Sequence, residues 1–257
     1  MLALICGRGL LPAAVATAQP QRPLVCALTG FEPETLQPDL TFRLEHLGTL
    51  LRDLTARGVS EICFCGAIER PKLDPGALDA ETAPLVPRIM AAMGQGDDGA
   101  LRAVAALFEE AGFTIRAAHE LASDLTVPSG VLTRVAPPSG LDVDLATAQA
   151  ELQRMGQADL GQACLVKGGK VLRREDETGT AAMIAAHQGG GVLFKAPKPG
   201  QDRRMDLPTI GPDTALAAVR AGLTGIAIEA GGVIVLDRRS VIDTLDDAGL
   251  FLWAYVP

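Results

Sequence analysis

The residues from Lys195 to Pro212, KAPKPGQDRRMDLPTIGP, carry the densest chemistry in the chain. They include four prolines, two glycines and six charged side chains. Lys195, Lys198, Arg203 and Arg204 can bind negative charge. Asp202 and Asp206 can bind a cation, and Gln201 can orient a water. Cations for phosphates beside carboxylates for a metal are what phosphoryl transfer needs, because that chemistry is mainly positioning and charge stabilisation. The prolines would stiffen the segment at low entropic cost. A solvated surface loop of balanced charge has the same composition, but loops rich in special residues are where function concentrates.

Other short stretches offer parts of a site. CGRGLLP places Gly7, Arg8 and Gly9 where a strand turns into a helix, so backbone N–H groups can approach a phosphate. Pro12 stands where the dinucleotide fingerprint G-x-G-x-x-G needs its third glycine, which argues against ordinary NAD binding. A tight turn with an exposed Arg8 fits the same residues equally well. GAIERP puts Arg70 after another strand, at the sheet end where open α/β folds bind ligands. In GQGDDGALR, Asp97 and Asp98 read first as helix N-caps, and adjacent carboxylates can also help hold Mg²⁺. LDVDLAT imitates an aspartate-nucleophile motif. It follows APPSG rather than an apolar strand, so Asp142 or Asp144 reads as a cap. His46, His119 and His187 lack metal-ligand spacing, and only His119, beside Glu120, is placed for a ligand contact. There is no G-x-S-x-G elbow and no P-loop.

These residues need a scaffold. The chain has 257 residues, 48% hydrophobic but only 4% aromatic, so its core must be aliphatic. The net charge of −8 argues against nonspecific nucleic-acid binding, which needs a basic surface. The five cysteines are an odd count in a chain of this size, so they read as small buried hydrophobes rather than a disulfide framework. Arg8 interrupts the apolar N-terminus, which reads as strand, turn and helix instead of a leader, and favours a cytoplasmic chain. No stretch reaches the ~18 uncharged apolar residues of a membrane span.

LALIC, PLVCALTG, SEICFCGA and FTIRAAHE read as strands in the first half. Helices are expected over LLPAAVATAQ, TFRLEHLGTLLRDLTARG, APLVPRIMAAMG and DDGALRAVAALFEEAG. That alternation predicts an α/β fold with a parallel sheet covered on both faces. The Pro- and Ser-rich stretch SDLTVPSGVLTRVAPPSGLD breaks the pattern. The expected organisation is an N-terminal domain over 1–128, a linker over 129–141 and a mixed α/β C-terminal domain over 142–257 that carries the charged loop. In the second half, QACLVKGGKVLRRE predicts a hairpin turning at Gly168-Gly169. GTAAMIAAHQG, PDTALAAVRAG and RRSVIDTLDDAG predict helices. GVLFK, the two halves of TGIAIEAGGVIVLD, and LFLWAYV predict strands.

Taken together, CGRGLLP, GAIERP, GDDGALRAVAALFEEAGF, AHELASDLTVPSGVLT and above all KAPKPGQDRRMDLPTIGPDT resemble the UDP-2,3-diacylglucosamine pyrophosphatase family of lipid A synthesis, in its two-domain α-proteobacterial form. The resemblance covers nearly the whole chain. It implies a Rossmann-like N-terminal domain and hydrolysis of UDP-2,3-diacylglucosamine to UMP and 2,3-diacylglucosamine 1-phosphate with a divalent cation, usually Mg²⁺. It places the catalytic aspartate at Asp206. By that reading Asp206, Gln201, Arg203 and Arg204 are catalytic. Gly7, Arg8, Gly9, Arg70, Lys195, Lys198, Gly179, Thr180 and Thr209 bind substrate, and Asp206, Asp97 and Asp98 contact metal. The family pattern EGTD is altered here: Gly179 and Thr180 remain, Thr178 and Ala181 stand where acids are expected, and Glu177 is one residue out of place to compensate. A membrane-derived substrate implies peripheral attachment to the inner membrane, and a homodimer stays open. A nucleotide-sugar enzyme of another kind, or a non-catalytic UDP-lipid carrier, is the alternative.

Overall fold

The computed structural model describes residues 1–69, 73–94 and 97–256, with no side-chain description at 93, 97 and 98. The chain forms two compact units. One is Met1–Ser123 with Asp202–Asp206, and the other is Asp124–Gln201 with Leu207–Pro257.

The first unit contains β1 (Leu2–Cys6), α1 (Leu11–Thr17), β2 (Leu24–Leu28), β3 (Leu40–Phe42), α2 (Leu47–Ala56), β4 (Glu61–Cys65), α3 (Val86–Met93), α4 (Asp97–Glu110), β5 (Thr114–Ile115) and α5 (Ala118–Leu121). Its five described strands are all parallel, in the order β3-β2-β1-β4-β5. This is a Rossmann-like sheet. β1 and β2 bury four of their five residues, as strands covered on both faces must. The order reverses between β1 and β4, which creates a crevice at their carboxyl ends. In α2, Leu47, Leu50, Leu51 and Leu54 recur at helical spacing and bury one stripe against the sheet, together with Phe108 of α4. Met205, brought back by the later segment, is buried in the same cluster.

Two expected elements are displaced. The helix anticipated from Thr41 begins at Leu47, because Leu40–Phe42 pair with β2, and that ladder claims the backbone groups a helix would use. The strand expected over FTIRAAHE is only Thr114–Ile115. The Glu120 carboxylate accepts the Ala117 N–H at 3.3 Å and starts α5.

The second unit contains β6 (Gly130–Val131), α6 (Leu141–Gln157), β7 (Ala163–Lys167), β8 (Lys170–Arg174), α7 (Gly179–Ala185), β9 (Val192–Lys195), β10 (Thr209–Ile210), α8 (Pro212–Arg220), β11 (Gly225–Glu229), β12 (Ile234–Val235), α9 (Arg238–Asp247) and β13 (Phe251–Tyr255). Its main sheet is mixed, in the order β6-β13-β11-β9-β7-β8. β9, β11 and β13 are parallel, while β6, β7 and β8 join antiparallel. The β7–β8 hairpin turns at Gly168 and Gly169, both with positive φ, the geometry of a type I′ turn. Asp144, in the first turn of α6, accepts the Gly169 N–H at 2.5 Å, so it holds this hairpin rather than capping its own helix. Gly130–Val131, inside the stretch expected as a linker, form an edge strand on β13. β10 and β12 make a separate two-stranded parallel pair, so the two strands about Gly231-Gly232 do not pair with each other.

Candidate functional site

At the switch point of the first unit, two turns that are far apart in sequence meet. Arg8 and Ala67 exchange backbone hydrogen bonds of 2.9 Å in each direction. The contact is close enough that a Cβ at Gly7 would fall on the Ala67 carbonyl, and one at Gly66 on the Gly7 carbonyl. Gly7 is therefore required for packing between β1 and β4. Gly9 has φ +96° with open space around it, so its glycine serves the turn itself. The Arg8 guanidinium donates to the Gly30 carbonyl at 2.6 Å, lies 5.1 Å from the Phe31 ring centre and is 3.9 Å from Glu69. Gly9 N–H donates to Glu34 Oε2 at 2.8 Å, and Gly30 N–H donates to Glu32. The Gly9 hydrogen bond holds the Glu34 carboxyl below its usual range. The two sequence motifs thus form one structure, and two acids that sequence reasoning missed sit on its amides. Neither acid falls in a recognisable pattern.

The Asp202–Asp206 segment is anchored within the first unit. Asp202 accepts the Arg204 N–H at 3.0 Å and its guanidinium at 3.0 and 2.7 Å, and the same guanidinium donates to Glu109 of α4 at 2.7 Å. The Arg204 hydrogen bonds hold the Asp202 carboxyl below its usual range. Met205 inserts beside the clamp, and half-buried Asp206 follows it. Arg204 and Asp202 therefore fix the segment that presents Asp206. Gln201 Oε1 accepts the Lys198 N–H at 3.0 Å and tightens the preceding turn.

In the second unit, β9 ends at Lys195, which is only 8% exposed. Its ammonium donates to Thr180 Oγ1 at 2.9 Å, and that hydroxyl donates to Glu175 Oε1 at 2.5 Å. Lys195, Gly179 and Thr180, nominated separately from sequence, thus converge at the start of α7. The acid that meets Thr180 is Glu175, five residues before it. Asp176 instead accepts the Thr178 N–H and hydroxyl at 2.9 and 2.5 Å. Lys198 pairs with Asp159 at 2.7 Å, and the Thr209 hydroxyl donates to the Leu207 carbonyl at 3.2 Å.

Arg70 and the side chains of Asp97 and Asp98 lie outside the described residues; the backbone of Asp97 begins α4. Among the described residues no three His, Cys, Asp or Glu side chains gather as a metal cluster. Mg²⁺ does not require one, since it commonly binds one or two carboxylates plus substrate phosphates and keeps several waters. A single carboxylate ligand such as Asp206 fits that mode. All five cysteines are free and buried, and burial pushes the Cys26 and Cys164 thiols up to about 12, which leaves them poor nucleophiles.

Residues 1–125 match the family model of the LpxI N-terminal domain, and residues 128–253 that of the LpxI C-terminal domain. The UDP-2,3-diacylglucosamine pyrophosphatase LpxI of Caulobacter vibrioides is 37% identical over 273 aligned positions, spanning 100% of this chain and 98% of the relative. With both halves matched and the likeness running end to end, the chain belongs to the LpxI family.

Proposed function

We propose that this chain hydrolyses the pyrophosphate bond of UDP-2,3-diacylglucosamine, releasing UMP and 2,3-diacylglucosamine 1-phosphate, with a divalent cation, Mg²⁺ by preference. The observation that carries the reading is that the charged segment is anchored at two points along the chain, each within its own unit. Lys195 is buried against Thr180 at one end, and the Arg204 clamp stands just before Asp206 at the other. Hydrolysis needs phosphate charge neutralised, a water held in line and the leaving phosphate stabilised. Lys195 supplies fixed positive charge, aided by Lys198 and Arg203. Asp206 holds the cation or aims the water. A bound Mg²⁺ supplies Lewis-acid polarisation of the phosphoryl oxygens. Water contributes the new P–O bond, the bridging P–O bond breaks, and the water's proton leaves for solvent through the carboxylate. Gly7, Arg8, Gly9, Thr209 and Arg70 are assigned to substrate contact, and Asp97 and Asp98 to additional metal contact. Peripheral attachment to the inner membrane is part of this reading, because the substrate is a lipid; no described helix is long and apolar enough to cross a membrane.

Asp206→Ala and Asp206→Asn are the direct test. UMP release should fall by roughly 10²–10³-fold in both, with unchanged thermal unfolding. Near-normal turnover by a folded Asp206→Ala enzyme refutes the assignment.

A further inference from the structure

We propose that Glu175 is a positioning residue that acts through the Thr180 hydroxyl on Lys195 and sets the ammonium to receive a diphosphate. The inference rests on the reading that Lys195 meets the substrate's pyrophosphate. Its direction follows from the donor inventory. An ammonium only donates and a carboxylate only accepts, so the single Thr180 proton must point to Glu175 and its lone pairs to Lys195. The distances, 2.5 Å to Glu175 and 2.9 Å to Lys195, are those of charge-assisted hydrogen bonds.

Glu175 is itself fixed from three sides. Its second oxygen accepts the Gln162 N–H at 2.5 Å, and its own N–H donates to the Ala163 carbonyl at 3.0 Å. Gly161 leaves room for its side chain, since a Cβ there would collide with it. An acid anchored this firmly at the start of β7 is more than a solvated end of β8. It orients a hydroxyl, and the hydroxyl orients a buried cation whose misplacement would be costly. Neither Glu175 nor Thr180 is asked to touch the reacting atoms.

The test measures UDP binding by titration calorimetry and UMP release in parallel. Thr180→Val keeps the shape and removes the relay, Thr180→Ser keeps the hydroxyl, and Glu175→Gln keeps an acceptor without its charge. Thr180→Val should weaken UDP binding on the order of tenfold and Glu175→Gln about fivefold, the worth of a charge-assisted bond. Thr180→Ser should recover affinity to within about twofold of wild type. Wild-type affinity in folded Thr180→Val and Glu175→Gln, failure of serine to rescue, or no UDP binding by the wild type overturns the proposal. The expected affinity changes with no UMP release from the wild type leave the relay standing and reject hydrolysis. UMP release that none of the substitutions alters rejects the relay and leaves hydrolysis standing.

Discussion

Arg8 follows the carboxyl end of β1 and Lys195 ends β9, and the molecule treats these two cations differently. Arg8 has a half-exposed side chain, and its neighbours are a carbonyl, a ring face and a distant Glu69. Lys195 is buried and leads through one hydroxyl to a fixed carboxylate. An exposed guanidinium keeps its hydration wherever it swings, so nothing compels a single geometry. A buried ammonium has lost that hydration and must be held by specific acceptors. Preorganised charge therefore belongs to the Lys195 region, and adaptable charge to the glycine-rich turn.

The largest effect should come from the buried cation. Lys195→Met should lower UMP release by roughly 10²–10³-fold, because it removes charge that water cannot replace in a desolvated site. A drop of less than tenfold in steady-state assays would erase the contrast. A buried carboxylate of the first unit extends the same rule to stability. Glu45, held by Arg43 and the Asp74 N–H, has its carboxyl pulled down from 4.5 to about 2. Its folded pKa is depressed, so its stabilisation is complete above about pH 4.5 and is lost as pH falls toward 2. Glu45→Gln should flatten that acid limb in urea unfolding by on the order of 3 kcal/mol. The smallest effect should be at the exposed cation. Arg8→Ala should weaken UDP binding only about threefold, and more steeply at low than at high salt. A salt-independent hundredfold loss would place Arg8 with the preorganised charges.

Much of this was legible in the sequence. Continuous apolar runs marked the buried parallel strands, and Gly168-Gly169 marked its hairpin. The short strands β3, β6 and β10 were not legible, because they are too short to show a period and are set by their pairing partners. The site was legible as parts. Gly7-Arg8-Gly9 and Gly66-Ala67 read as separate turns, and only the sheet order brings them together. Lys195 and Thr180 were nominated fifteen positions apart, while Glu175 was overlooked. Its reach depends on the hairpin fold and on the space left at Gly161, and neither is a local pattern. Arg204 read as a phosphate ligand, and charge alone gave no sign of its hydrogen bonds to Asp202 and Glu109.

The most direct test of the central claim is UMP release by the unmodified chain from UDP-2,3-diacylglucosamine, with Mg²⁺ and with a chelator, beside a measurement of lipid-nucleotide binding. The account predicts release that depends on the cation and stops on chelation. A folded chain that binds the lipid nucleotide yet releases no UMP under either condition would contradict it and mark the protein as a carrier.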